Sequence, residues 1–169
     1  MPGTSTLSYR GKPLAYMPFV YEHPMYWKKI EKETKGSGDI ERSTCLFIDS
    51  EKDREHTEEE MIKIENIKGK LIFIGADDDS FWEAGKYVRR MDQRLKEHPH
   101  ECEYEAVAYQ YGTHFVLPES MLRMALPLGL KFVMRFIFRS AKEHPDECEN
   151  TRKDVDRRLS AALHEWITT

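Results

Sequence analysis

The alternation of apolar and polar positions is clearest in the second half of the chain. LIFIG, residues 71–75, is a short continuous apolar run ending in glycine, the pattern of a strand buried on both faces of a parallel sheet. FWEAGKYVRRMDQRLKE follows, with Phe81, Ala84, Val88, Met91 and Leu95 at helical spacing and Arg89, Arg90 and Lys96 largely on the other side. This predicts an amphipathic helix capped by Asp79 or Ser80 and stopped before Pro99. CEYEAVAYQYG alternates in its first part and predicts a second strand that ends at Gly112. After GTHFVLPES, the segment MLRMALPLGLKFVMRFIFRSA, residues 121–141, predicts a buried helix. Its Lys131, Arg135 and Arg139 recur every fourth position on one face. TRKDVDRRLSAALHEWI then puts Val155, Leu159, Ala162, Leu163 and Trp166 on a single apolar face of a closing helix.

The N-terminal third is less regular. Pro13, Pro18 and Pro24 suit extended or turn structure around short strand-like pieces, and KETKGSGDIERS reads as an exposed loop. EKDREHTEEEMIKIENIKG predicts a helical turn or two leading into a connection. The resulting order is strand, acidic turn, helix, strand, histidine-bearing turn, helix, helix, an alternation that predicts an α/β fold with parallel strands. A single domain over residues 1–169 is expected, with an irregular part at 1–69 and the core at 70–169.

Composition narrows the function class. With 169 residues and 40% hydrophobic content the chain can bury a real core. Its net charge of −4 argues against a nucleic-acid binder, which would carry a basic patch or stripe. Four basic residues and Pro127 within or beside the longest apolar segment argue against a membrane span. Cys45, Cys102 and Cys148 are odd in number and widely spaced, and MPGTSTLSYRGK has no apolar signal region, so a cytoplasmic setting is expected. KEHPHECE and KEHPDECE each offer a histidine and a cysteine. His98 with Cys102 fits zinc spacing only loosely, and both segments read as helix exits, so no metal is expected.

The candidate chemistry lies in the turns after the two strands. In open α/β sheets functional groups gather beyond the carboxyl ends of the strands. Asp77, Asp78 and Asp79 follow the first strand and His114 follows the second. Neighbouring strands run about 5 Å apart, so a carboxylate and an imidazole from these turns can meet. A carboxylate on one ring nitrogen fixes the tautomer and stabilises the imidazolium formed when the other nitrogen takes a proton. A solvated turn capping a helix explains at least one of the three carboxylates equally well.

YGTHFVLPES, DDSFW with its following helix, TLSYRGKPL and VDRRLSAALHEWI together resemble the C-terminal domain of the acyl-CoA thioester hydrolase and bile acid-CoA:amino acid N-acyltransferase family. The resemblance implies the C-terminal part of an α/β-hydrolase fold with an incomplete sheet, an acyl-CoA substrate and no cofactor. It implies His114 as general base. For the acid, counting back from Trp82 selects Asp79, with Asp78 as the fallback from a count starting at Gly75. The family's nucleophile sits on a G-x-S-x-G elbow, and these residues contain no such pattern. TLSYRGKPL resembles a segment downstream of the elbow, so the chain is expected to lack the nucleophile and the oxyanion hole and to be inactive alone. Met121, Met124, Leu128, Phe132 and Phe136 read as acyl tunnel, plain core or orphaned surface, and the basic stripe reads as a contact for coenzyme A phosphates or a wet helix edge. The other classes in play are a different serine hydrolase, a carboxylesterase or peptidase, and a non-catalytic module that self-associates through uncovered apolar surface.

Overall fold

The computed structural model describes residues 5–20, 24–39 and 42–168. A small hairpin opens it, β1 (Ser8–Tyr9) against β2 (Lys12–Pro13). Arg10 and Gly11 both take positive φ between the strands, as a two-residue hairpin turn requires. Two helices follow, α1 (Pro24–Ser37) and α2 (Thr44–Asp53), then 3-10 turns at Glu58–Glu60 and Ile64–Asn66. The rest is β3 (Lys70–Ala76), α3 (Ala84–Glu97), β4 (Glu103–Tyr109), α4 (Glu119–Ala125), α5 (Leu130–Ile137), α6 (Arg139–Glu143) and α7 (Pro145–Thr168).

β3 and β4 pair in parallel, from Lys70 opposite Glu103 to Ala76 opposite Tyr109, with α3 as the crossover. The in-register pairing brings both carboxyl ends to one level. Alternation along β4 divides its neighbours: Tyr104 bonds Asp92 on α3, whereas Glu105 and Tyr109 reach Arg158 and Asp154 on α7. Gly75 marks where α3 comes down on the strand, since a Cβ there would lie 2.8 Å from the backbone of Ala84. This is a partial α/β fold with an open sheet. Among the described residues no helix is long and apolar enough to cross a membrane.

Two buried clusters hold the elements. Ile64, Leu95 and Cys102 pack with Phe73 and Met91 under α3. Leu122, Leu130, Met134, Phe138, Ala141 and Cys148 pack with Phe81, Tyr111 and Phe115 beside the histidine turn. β3 is fully buried only at Gly75 and Ala76, because a two-stranded sheet shields little of its own length.

Several local expectations are corrected. The helix predicted over 121–141 is three helices, interrupted around Pro127 and Gly129 and again at Phe138, and it is not wholly buried: Met124, Leu128, Phe132 and Phe136 are exposed. The predicted loop KETKGSGDIERS is helical as far as Ser37, within α1, while its residues 40 and 41 lie outside the described residues. α2 has no counterpart in the sequence reading. α3 begins at Ala84, with Glu83 rather than Asp79 or Ser80 before it. In α7 the expected apolar face is buried at Val155 but exposed at Leu163 and Trp166, where it flanks a groove of about 550 Å³ beside the start of β3.

Candidate active site

The parallel register sets the geometry. Beyond the last strand pair the Asp77 N–H donates to the Tyr109 carbonyl at 2.8 Å, which holds the aspartate turn against the loop that leads to His114. The three consecutive carboxylates then separate in direction and partner.

Asp79 meets the histidine. Its side chain is 3% exposed, and the His114 Nδ1 lies 3.1 Å from Oδ2 and 3.2 Å from Oδ1. Oδ1 also accepts the backbone N–H of Phe81 at 2.8 Å and of Trp82 at 3.4 Å. A carboxylate so placed favours the tautomer with the proton on Nδ1 and the lone pair on Nε2. Among the described residues Nε2 makes no hydrogen bond, and the side chain is 23% exposed.

Aromatic rings complete the setting. Phe81 stacks on the imidazole with centroids 4.3 Å apart and planes 20° from parallel, and Trp82 meets it edge-on at 4.5 Å. The aspartate and both rings therefore come from one four-residue stretch, Asp79 to Trp82. Trp82 is braced in turn by Phe47 of α2, and Phe47 by Phe19. Ser43, just before α2, donates its backbone N–H to the Ser80 carbonyl and its hydroxyl to the Phe81 carbonyl, both at 3.0 Å. Adjacency in SFW was the signal for the ring contacts. Nothing in the sequence signals the support from α2.

Asp78 and Asp77 point elsewhere. Asp78 accepts the N–H groups of Gly112 and Thr113 on Oδ1, at 2.9 and 2.8 Å, and the Ser140 hydroxyl on Oδ2. Asp77 pairs with Arg89 on α3 at 2.5 Å and is the most exposed of the three. Beside Asp78, burial pushes the Cys148 thiol up to about 11, with the Asp78 charge adding to the effect, which disfavours the thiolate.

The remaining candidates lie away from the imidazole. A polar cleft of about 550 Å³ runs behind the aspartates past Arg42, Arg139, Tyr111 and His144, and His114 does not line it. Lys131 pairs with Glu149, and Arg139 pairs with Glu143. Cys102 is buried with its sulfur 3.4 Å from His100 Nδ1. Among the described residues no group of three histidine, cysteine or acidic side chains is arranged to hold a metal.

No curated protein and no solved structure gives a significant match to the chain. One family model does match, that of the BAAT / acyl-CoA thioester hydrolase C terminal, over residues 16–121, a span that includes Asp79, Trp82 and His114. The matched span is well over half of the chain, which therefore belongs to the BAAT / acyl-CoA thioester hydrolase C-terminal family.

Proposed function

We propose that Asp79 and His114 are the acid and base of a Ser/Cys-His-Asp triad that acts on acyl-CoA thioesters, with the nucleophile supplied from outside these 169 residues. One observation carries the reading: the Asp79 carboxylate holds His114 Nδ1 at 3.1 Å while Nε2 has no hydrogen-bond partner among the described residues. A cytoplasmic setting belongs to the same proposal, since all three cysteines are free thiols.

In this scheme a serine or cysteine attacks the thioester carbonyl and His114 Nε2 takes its proton. Asp79 stabilises the imidazolium. The tetrahedral intermediate collapses to an acyl-enzyme, and the C–S bond breaks as Nε2 returns the proton to the departing coenzyme A sulfur. Water, or an amine in a transferase, then attacks the acyl carbon with His114 again as base, which releases the acid or amide and restores the nucleophile.

The test is acyl-CoA hydrolysis followed by thiol release. The chain alone is expected to show no turnover that His114→Ala removes, and such turnover would overturn the external nucleophile. In a longer protein carrying this segment with a G-x-S-x-G serine, Asp79→Asn is expected to lower kcat by about 10⁴. An unaltered kcat would sink the acid assignment. A second reading, association through apolar surface, is favoured by the exposure of Phe132 and Phe136 on α5 and of Leu128 just before it.

A further inference from the structure

We infer that Asp78 is a positioning residue, whose carboxylate holds the His114 turn in a strained backbone conformation that aims the imidazole at Asp79. The inference rests on the reading of His114 as the base and goes beyond it.

Thr113, immediately before His114, is fully buried and sits at φ +61. A β-branched residue in this left-handed region is a genuine outlier, and such a conformation persists only where its surroundings over-determine it. Asp78 provides that determination. Two successive N–H groups, of Gly112 and Thr113, converge on Oδ1, and hydrogen bonds to an ionised acceptor are roughly twice as strong as neutral ones. Oδ2 takes the Ser140 hydroxyl, so one carboxylate joins the turn after β3, the histidine loop and α6.

Packing closes the same joint. A Cβ on Gly112 would lie 2.9 Å from Val116, 3.0 Å from Thr151 and 3.1 Å from Ala76, so the loop backbone is pressed onto the end of β3. The Thr151 hydroxyl caps the Tyr111 carbonyl just before it. Without Asp78, Thr113 can relax to negative φ, and the peptide that carries His114 turns with it. The imidazole then leaves Asp79, although Asp78 never touches the ring.

The experiment is NMR on the ¹⁵N-labelled chain, reading the exchange-protected imidazole Nδ1–H of His114 and amide exchange at Gly112 and Thr113. Asp78→Ala is expected to abolish the Nδ1–H signal. Asp78→Asn is expected to keep it, because the amide oxygen still accepts both N–H groups and the amide nitrogen can donate to Ser140. Ser140→Ala, which leaves the core intact even where Asp78→Ala fails to fold, is expected to speed Gly112 and Thr113 exchange at least tenfold. The inference is overturned by an unchanged Nδ1–H signal in folded Asp78→Ala, or by unchanged exchange in Ser140→Ala. Failure of the underlying dyad looks different: the Nδ1–H signal would then survive Asp79→Ala, while the amide exchange still reports on Asp78.

Discussion

α3 packs on the β3–β4 pair and α5 belongs to the cluster that reaches Phe81 and Phe115 beside the histidine turn, and the two helices differ in how many neighbours their sequences demand. α3 has one apolar stripe, buried at Val88 and Leu95, and its polar side is tied by ion pairs from Lys86 to Glu51, Arg89 to Asp77 and Arg94 to Glu65. α5 and its flanks carry two apolar stripes at four-residue spacing. Leu130, Met134 and Phe138 are buried, whereas Leu128, Phe132 and Phe136 are 101%, 77% and 69% exposed. Lys131, Arg135 and Arg139 form a third, exposed stripe. A helix with one apolar stripe needs one packing surface, and α3 has it. A helix with two needs two, and α5 has one.

The sharpest way to break this contrast is to cut the buried stripe. Phe138 is 1% exposed and contacts both Phe81, which stacks on His114, and Phe115. Phe138→Ala is expected to cost about 3–5 kcal/mol. By thermal denaturation that is a fall in Tm of roughly 6–20 °C for a chain of this size. A loss below about 1 kcal/mol would mean that the α5 core is loose.

A smaller effect comes from pH. Glu149 of α7 holds Lys131 of α5 and Lys153, and hydrogen bonds from these two lysines bring its carboxyl from the ordinary 4.5 to about 2. A carboxyl depressed in the folded state contributes stability above its unfolded pKa and loses it as pH falls through the folded one. The window is therefore pH 4.5 down to about 2. Glu149→Gln is expected to flatten the acid limb of the stability profile in that window, and an identical limb would show that the contact does not hold α5. The smallest effect belongs to the exposed stripe. Phe132→Ser with Phe136→Ser is expected to change monomer stability by no more than about 0.5 kcal/mol, measured by urea denaturation. A loss above 2 kcal/mol would place that stripe in contact with something and erase the contrast.

The same contrast separates what could be read from the sequence. β3, α3 and β4 were legible as elements because each packs against its neighbour in the chain, although β3, expected to be buried on both faces, is fully buried only at Gly75 and Ala76. The histidine turn followed from the strands' end points. α2 was not legible. Phe47 and Ser43 matter only because the fold brings them beside Trp82 and Phe81, some thirty-five residues away. For α5 the period was legible but not which apolar stripe would be buried, since apolar spacing states that a face prefers burial without supplying the surface that buries it.

At DDD the division is sharpest. By itself the sequence determined that three carboxylates follow a strand, that an aromatic pair follows them, and that a histidine follows the next strand. Chain order and local spacing suffice for that. Only the tertiary structure decided that Asp77 turns to Arg89, Asp78 to the Gly112–Thr113 backbone and Ser140, and Asp79 to His114. Three identical side chains in a row carry identical local chemistry. What distinguishes them is the direction each takes out of the turn, and that direction is set by the parallel register of β3 and β4 and by the groups that register brings within hydrogen-bond reach.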